Sequence, residues 1–369
     1  MPPTRVVIAT DKFKGSLTAH EAAMRIRAGL QRAVADLDVV IVPVADGGDG
    51  TVDAAVAAGF DGIPVIASGP TGMPVGTRYA RRGDDAVVEL ASACGLVRLP
   101  HGVLDPLGAS SFGVGEVIRD ALDAGCRHIV LGVGGSASTD GGAGMLAALG
   151  ARMDSPNFPS VSTLDLSGLH PALAKTDFVV ACDVDNPLYG ARGAAHVYGP
   201  QKGADPAQVE LLDAALRRWA DIVHDATGHS AVESDAASLP GAGAAGGVAY
   251  AAHAVFGARL QSGIELVLDF VGFADRLPGT RLVITGEGSL DEQTLAGKAP
   301  AGVAAAARAA GVTTVAVAGR TTLSVERLVA AGIAAAYPLT DLEGDPVRCM
   351  VDAGPLLERV AEKVARDWL

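Results

Sequence analysis

The chain has 369 residues, of which 42 are acidic and 29 are basic, so its formal net charge is −13. Hydrophobic residues make up 49% of the chain, which excludes a largely disordered protein and predicts two domains or one large one. The acidic balance and the lack of a basic stripe exclude a general nucleic-acid-binding protein. No apolar run is long enough to predict a membrane-spanning helix.

The four cysteines are far apart and form no C-x-x-C pair. In a chain of this length, such cysteines are typical of reduced thiols in the cytoplasm. The first residues also lack the charged and apolar regions of a signal peptide. We therefore expect a cytoplasmic protein without nucleic-acid or membrane partners, and both a monomer and a homodimer remain open.

The first elements alternate between strand and helix. The sequence predicts a strand at Arg5–Thr10, a helix at His20–Leu37, a strand at Val39–Val44 and a helix at Thr51–Ala58. This order is typical of parallel strands that are joined by crossover helices.

The middle of the chain follows a different pattern. Short alternating segments with turn residues predict antiparallel hairpins over residues 63–91. A helix near 111–124 and strands at His128–Leu131 and Asp177–Ala181 follow, and the Pro- and Ser-rich residues 153–171 are expected to form a loop.

The C-terminal part returns to the first pattern, with strands at Arg281–Thr285, Val312–Ala318 and Ile333–Pro338 and helices between them. We predict an α/β protein in which residues 1–62 and 278–369 form a Rossmann-like, doubly wound parallel-sheet domain. Residues 63–277 form an inserted mixed α/β domain, and the active cleft is expected between the two domains.

Polar clusters directly follow the predicted strands, where open parallel sheets bind their ligands. They cover residues 11–16, 45–51, 132–142, 181–188 and 285–298.

The first cluster, DKFKGS from Asp11, combines two lysines with a serine at a helix start. Lys12, Lys14 and Ser16 are therefore candidates for binding an anionic group. When this cluster is taken alone, an ordinary loop with solvated lysines and a serine cap is the favoured explanation.

The second cluster, ADGGDGT from Ala45, places carboxylates among glycines. Gly47 and Gly48 allow the backbone to approach a ligand, and Asp46 can hold Mg²⁺ or accept a hydroxyl proton. A glycine-rich turn is the alternative.

The third cluster, GVGGSASTDGG from Gly132, offers successive free N–H groups and hydroxyls. Gly134, Gly135, Ser136 and Asp140 are candidates for cradling phosphate. The segment also satisfies G-x-G-x-x-A, but the acid expected at the end of a second strand is missing, so a dinucleotide site is disfavoured.

The fourth cluster contains Asp183, Asp185 and Asn186, with Lys202 downstream. The two aspartates alternate by two and point the same way on an extended chain, which suits a shared Mg²⁺. An Asx turn at the end of a strand, with Lys202 solvated, is the alternative.

The fifth cluster brings Glu287, Asp291, Thr294 and Lys298 into one polar segment. It is not a Walker A loop, because the first glycine of that motif would fall on Glu292. A carboxylate beside hydroxyl and ammonium groups fits a metal-nucleotide or polar substrate site, and a long loop is the alternative.

Carboxylates for a hard cation, glycine-rich loops for anions and dispersed lysines together fit phosphoryl transfer. The histidine spacing disfavours a zinc site, and no G-x-S-x-G motif indicates an α/β-hydrolase.

The clusters, in this order, resemble the two-domain type of the bacterial glycerate kinase family over nearly the whole chain. The matching blocks are DKFKGSLTA at Asp11, PVADGGDGT at Pro43, GGSASTDGGAGM at Gly134, ACDVDNPLYG at Ala181, YGPQKGA at Tyr198, GAGAAGG at Gly241 and ITGEGSLDEQTLAGKAPAGVA at Ile284.

The resemblance implies an ATP- and Mg²⁺-dependent kinase that converts D-glycerate to 2-phosphoglycerate, with 3-phosphoglycerate as the alternative product. A nicotinamide-dependent oxidoreductase and a non-catalytic nucleotide-binding module remain as rival classes.

The hypothesis gives each candidate residue a role. Asp183 and Asp185 hold Mg²⁺, and Asp46 orients or deprotonates the attacking hydroxyl. Lys14 and Lys202 neutralise phosphate or the glycerate carboxylate. The backbone of residues 134–136 donates hydrogen bonds, and the fifth cluster completes the cleft.

The chain departs from the family pattern at a few positions. The family usually has Ser at Lys12, Glu at Asp49, Thr-Asn at Ser138-Thr139 and Arg at Ser289. A missing arginine weakens contact with an anionic substrate, for which Lys12 is a candidate to compensate.

Overall fold

The computed structural model describes residues 3–228, 236–295 and 297–369. The chain forms two compact units. Unit 1 consists of Met1–Asp46, Asp53–Ala58 and Ser262–Leu369, and unit 2 consists of Gly47–Val52 and Gly59–Gln261.

The strands, in chain order, are β1 (Thr4–Thr10), β2 (Leu37–Ile41), β3 (Asp61–Ser68), β4 (Pro74–Arg82), β5 (Asp85–Glu89), β6 (His128–Gly132), β7 (Arg152–Met153), β8 (Leu164–Asp165), β9 (Asp177–Ala181), β10 (Arg259–Gln261), β11 (Thr280–Leu290), β12 (Thr313–Thr321) and β13 (Ile333–Pro338).

The α-helices are α1 (Ala19–Ala33), α2 (Thr51–Ala57), α3 (Leu90–Cys94), α4 (Phe112–Asp123), α5 (Ala143–Ala148), α6 (Ala194–Tyr198), α7 (Pro206–Thr227), α8 (Val248–Phe256), α9 (Gly263–Phe270), α10 (Phe273–Arg276), α11 (Glu292–Leu295), α12 (Ala299–Ala309), α13 (Val325–Ala330), α14 (Pro346–Val351) and α15 (Ala353–Trp368).

Unit 1 is built on a parallel sheet with the strand order β13-β12-β11-β1-β2. Counted within the unit, this order is 2-1-3-4-5, the flavodoxin-like form of a doubly wound sheet. The prediction of a doubly wound parallel sheet is therefore confirmed, in this five-stranded order rather than the six-stranded Rossmann order.

Helices cover both faces of this sheet, because successive residues of β1 point in opposite directions. Val6 and Ile8 pack into a core with residues of α1 and α15, and Val7 and Ala9 pack into a second core with residues of α9 and α12. The near-continuous apolar run of β1 follows from burial on both sides.

The switch point of the unit 1 sheet lies between β1 and β11, which are neighbours in space but far apart in sequence. Thr10 is paired with Gly286, so Asp11 and Glu287 come next on the two strands at their carboxyl ends. Doubly wound sheets bind ligands in the crevice outside this point.

Unit 2 has a mixed sheet with the order β10-β9-β6-β5-β4-β3. The four strands β10, β9, β6 and β5 are parallel, and β4 and β3 are antiparallel, as the hairpin pattern predicts. Residues 153–171, expected to be a loop, take part in a small second sheet of β7 and β8.

The predicted domain boundary at residue 277 differs from the boundary of the compact units, which lies at Gln261. Helices α9 and α10 belong to unit 1 because Ile264, Val267 and Phe273 pack in the same core as Val283. The apolar spacing of a helix predicts that it is buried but not which sheet it covers.

Two strands of unit 1 are longer than predicted. The ladder between β11 and β12 continues through the pairs Ser289–Arg320 and Leu290–Thr321. Glu287 and Ser289 are therefore strand residues, and not loop residues as their polar, glycine-rich surroundings suggest.

Within the described chain, no helix is both long and apolar enough to span a membrane.

Candidate functional site

Buried carboxylates gather at the switch point of unit 1. Asp11 is only 7% exposed and accepts a hydrogen bond of 2.6 Å from the backbone N–H of Lys12. Burial, followed by the charge of Asp46, raises the pKa of Asp11 to about 7, against the opposing charge of Lys12. Near neutral pH this carboxyl can therefore hold or release a proton.

Glu287 is the second buried carboxylate at this edge of the sheet. Thr294 Oγ1 donates a hydrogen bond of 2.5 Å to Glu287 Oε1, and the N–H of Asp291 donates to the same hydroxyl at 3.0 Å. Burial raises the pKa of Glu287, while the Thr294 hydrogen bond and the charge of Lys298 oppose the rise. The predicted fifth cluster is thus one connected network.

Basic side chains lie on the segments around these carboxylates. Lys14 is exposed, and Lys298 Nζ donates a hydrogen bond of 3.1 Å to Gln293 Oε1. A Cβ at Gly288 would lie 3.3 Å from the backbone nitrogen of Lys14, so the first and fifth clusters are in contact. Ser16 lies in the same turn, where its N–H donates to Phe13 O.

The glycine-rich segments of unit 2 pack backbone against backbone. The N–H of Gly134 donates to Gly47 O at 3.3 Å, and a Cβ at Gly134 would lie 2.6 Å from the Cα of Gly48. A Cβ at Gly132 would lie 2.6 Å from Gly47 O. The second and third clusters therefore form one double loop, in which several glycines are required for close packing.

A glutamate that sequence reasoning missed supports this double loop. Glu89, at the end of β5, accepts hydrogen bonds from the N–H groups of Gly50 at 2.9 Å and Val52 at 3.2 Å. The signal was an acidic residue at the end of an apolar strand, where a buried carboxylate needs donors. Its contacts fix the turn that follows Gly47.

Lys202 is buried, with 2% of its surface exposed. The alternative interpretation of the fourth cluster, in which Lys202 is solvated, required an exposed side chain. Its Nζ donates hydrogen bonds to Ser136 Oγ at 2.9 Å and to Ser138 O. Burial lowers the pKa of Lys202 to about 8, and the charge of Asp140 opposes that change. A cation that is charged near neutral pH thus lies directly under the third cluster.

Asp140 has a positioning role in the structure. Its carboxylate accepts hydrogen bonds of 2.8 Å from both N–H and Oγ of Ser111, and of 3.2 Å from the N–H groups of Gly142 and Gly144. Because these donors occupy both oxygens, the side chain anchors the loop to the start of α5. Gly135, by contrast, is exposed and adopts a positive φ of 77°.

The fourth cluster follows β9 in unit 2. Asp183 is half-buried, and the exposed Asp185 forms an ion pair of 2.8 Å with Arg192. Asn186 donates from Nδ2 to Arg192 O at 2.8 Å and accepts a hydrogen bond from the hydroxyl of Tyr198. Asn186 therefore organises the loop in which the two aspartates lie.

Among the described residues, no group of three or more His, Cys, Asp or Glu side chains is arranged to hold a metal ion. Mg²⁺ usually takes one or two carboxylates and completes its shell with water and substrate phosphates. An exposed ion pair such as Asp185–Arg192 is worth only about 0–1 kcal/mol, so a divalent cation can displace it. The donor chemistry of Asp183 and Asp185 therefore fits Mg²⁺.

The predicted residues thus fall into two groups, one in each unit. Unit 1 contains Lys12, Lys14, Ser16, Asp46, Glu287, Asp291, Thr294 and Lys298. Unit 2 contains Gly47, Gly48, Gly134, Gly135, Ser136, Asp140, Asp183, Asp185, Asn186 and Lys202. The structure adds Asp11 to the first group. Its position directly after β1 was the sequence feature that could have indicated it.

Comparison with known proteins decides the family. The family model described as "Glycerate kinase family" matches residues 6–369. The chain belongs to the glycerate kinase family.

The relatives agree over most of their length. Glycerate kinase of Halalkalibacterium halodurans is 40% identical and covers 98% of this chain and 97% of that protein. Glycerate 2-kinase of Escherichia coli K12 is 42% identical and covers 82% of each. A solved structure described as glycerate kinase 2 from Salmonella typhimurium LT2 superposes with a TM-score of 0.82 at 40% identity, covering 99% of this chain and 98% of that one.

The family assignment confirms the prediction of a kinase with an α/β fold. Phosphoryl transfer from ATP to a small molecule is the corresponding chemistry.

Proposed function

We propose that this glycerate kinase family member transfers the γ-phosphoryl group of ATP to the 2-hydroxyl of D-glycerate. The products are 2-phosphoglycerate and ADP. The buried Lys202 under the glycine-rich loop carries the proposal, because a desolvated cation beside backbone amides is suited to phosphate charge. The E. coli relative named glycerate 2-kinase supports the choice of hydroxyl.

The loop of residues 134–136 is proposed to bind phosphate oxygens. Asp140 and Lys202 fix this loop through hydrogen bonds within the protein that form without a ligand. Donors that are fixed beforehand need no reorganisation as charge shifts during transfer. Lys202 adds a positive charge to the backbone donors of Gly135 and Ser136.

The carboxylates of unit 1 are proposed to handle the proton of the reaction. The glycerate hydroxyl forms a bond to the γ-phosphorus while the bond from that phosphorus to the bridging oxygen breaks. The hydroxyl proton passes to Asp46. Burial of Asp11, and after it the charge of Asp46, raises the pKa of Asp11 to about 7, so the two carboxyl groups interact. Asp11 then shares the proton load of the pair.

The cations of unit 1 are proposed to bind the substrate carboxylate and phosphate. Lys12 and Lys14 lie on the loop after β1, and Ser16 offers a hydroxyl in the same turn. Glu287, Asp291, Thr294 and Lys298 form the polar wall beside them. Point charges of this kind hold an anion without fixing its orientation.

Mg²⁺ is proposed at Asp183 and Asp185, where it would neutralise charge on the phosphates. Asn186 supports this loop through Arg192 and Tyr198, which keeps both carboxylates in one short segment. Mg²⁺ binding would replace the Arg192 ion pair of Asp185.

The four cysteines are all free thiols in the structure, and we propose the cytoplasm as the compartment.

A coupled assay of ADP release with D-glycerate tests the function, and phosphorus NMR of the product tests the hydroxyl. In the proton-coupled spectrum, 2-phosphoglycerate gives a doublet and 3-phosphoglycerate a triplet, because their phosphorylated carbons carry one and two hydrogens. A triplet identifies a glycerate 3-kinase. Absence of ADP release together with saturable NADH binding supports the oxidoreductase instead.

A further inference from the structure

An arginine outside all the predicted clusters lies at the carboxyl end of the unit 1 sheet. Arg320 is the penultimate residue of β12, and its register partner on β11 is Ser289. Arg320 Nε donates a hydrogen bond of 3.2 Å to Ser289 Oγ, while the side chain remains exposed.

Close backbone packing holds this arginine against β11. A Cβ at Gly319 would lie 2.4 Å from Gly288 O, so the two strands approach each other directly before Arg320 and Ser289. Glu287 precedes Ser289 by two residues, and the two side chains therefore share one face of the strand. The hydrogen bond to Ser289 therefore holds the guanidinium next to β11, the strand that carries Glu287.

The guanidinium has hydrogen-bonding capacity to spare. Among the described residues its polar contact is the hydrogen bond to Ser289, and no carboxylate forms an ion pair with it. Arg327 of α13, in contrast, pairs with Glu292. A guanidinium has five N–H donors, so four remain on Arg320 in a planar fork that matches a carboxylate.

We propose that Arg320 binds the carboxylate of glycerate and is a specificity-determining residue of this enzyme. This inference rests on the proposed function. The hydrogen bond of Nε to Ser289 leaves the terminal nitrogens to form two parallel hydrogen bonds to the carboxylate. The lysines of unit 1 are point charges and do not provide this orientation.

Steady-state kinetics of Arg320→Met test the proposal, with Arg281→Met as the matched control. Arg281 is an exposed arginine at the opposite, amino end of β11. Loss of a charged hydrogen-bonded pair predicts that Arg320→Met raises the KM for D-glycerate about 10- to 100-fold. The KM for ATP should stay within about twofold of the wild type, since no phosphate contact is lost. Arg281→Met should change neither constant.

Two further variants keep the test decisive. Arg320→Lys retains the charge without the fork and should have an intermediate KM for glycerate. Adding Ser289→Arg to Arg320→Met returns a guanidinium to the paired position and should recover most of the lost affinity.

Unchanged KM for glycerate in Arg320→Met, or an equal rise for ATP, overturns the proposal. A wild-type enzyme that releases no ADP with glycerate refutes the proposed function itself, and this result is distinct from the others.

Discussion

Replacing Lys202 with methionine removes the buried charge and keeps most of the side-chain volume. In the wild type, Nζ of Lys202 donates hydrogen bonds to Ser136 Oγ and Ser138 O. Leaving a buried acceptor unsatisfied costs about 1–3 kcal/mol. The lost hydrogen bonds alone would therefore destabilise unit 2.

An opposing effect reduces this loss. Burial lowers the pKa of Lys202 from 10.5 to about 8, which corresponds to a penalty of roughly 3 kcal/mol for the charged form. Methionine carries no such penalty. The two effects are similar in size, so we expect Lys202→Met to change the free energy of unfolding by less than about 3 kcal/mol.

Turnover should respond much more strongly than stability. Loss of one fixed charge-stabilising group typically lowers kcat by about 10²–10³-fold. The coupled ADP-release assay measures this effect, and urea unfolding measures stability in the same preparation. A kcat within about threefold of the wild type would contradict the role of Lys202.

The pH dependence gives an independent check, because activity and stability should change in opposite directions above pH 8. In the wild type, kcat/KM should fall above pH 8 as Lys202 loses its proton. Stability should rise from about pH 8 to 10.5, because only the unfolded state still binds the proton there. In Lys202→Met, kcat/KM should not show this fall above pH 8, and the free energy of unfolding should not show this rise.

Three further predictions test the remaining contacts. Asp11→Asn should have a larger free energy of unfolding than the wild type above pH 7 but not below pH 4, because the raised pKa of Asp11 makes its ionised form unfavourable in the folded state. Urea unfolding at the two pH values measures this, and an equal difference between variant and wild type at both would contradict it. Asp183→Asn should lower kcat about 10²-fold and raise the Mg²⁺ concentration that gives half-maximal activity. Arg192→Gln removes the ion pair of Asp185 and should lower that concentration. If the Mg²⁺ titrations of both variants match that of the wild type, the proposed metal site is wrong. Gly134→Ala should cost about 1–3 kcal/mol of unfolding free energy because its Cβ meets Gly48, whereas Gly76→Ala, with open space around its Cβ, should cost about 1 kcal/mol or less.

The sequence predicted those parts of the fold that depend on local patterns. Apolar β-branched runs located β1, β6 and β9, and the alternating segments located the β3–β4 hairpin. The end of β11 was missed because its polar, glycine-rich residues are typical of a loop. The ladder to β12 that extends this strand is a contact between distant parts of the chain.

The candidate site was predictable in residue type more than in role. Asp140 is predicted to bind a ligand, and the structure adds that its carboxylate accepts hydrogen bonds from Ser111 and from the start of α5. Lys202 was expected to meet a phosphate, and the structure shows in addition that it supports the loop around Ser136. Both roles depend on partners far away in sequence, which a motif does not contain.

The most direct test of the account is ADP release by the wild-type protein with ATP, Mg²⁺ and D-glycerate, followed by proton-coupled phosphorus NMR of the product. We predict glycerate-dependent ADP release and a phosphorus doublet. Release that does not depend on glycerate, or none at all, would contradict the central claim.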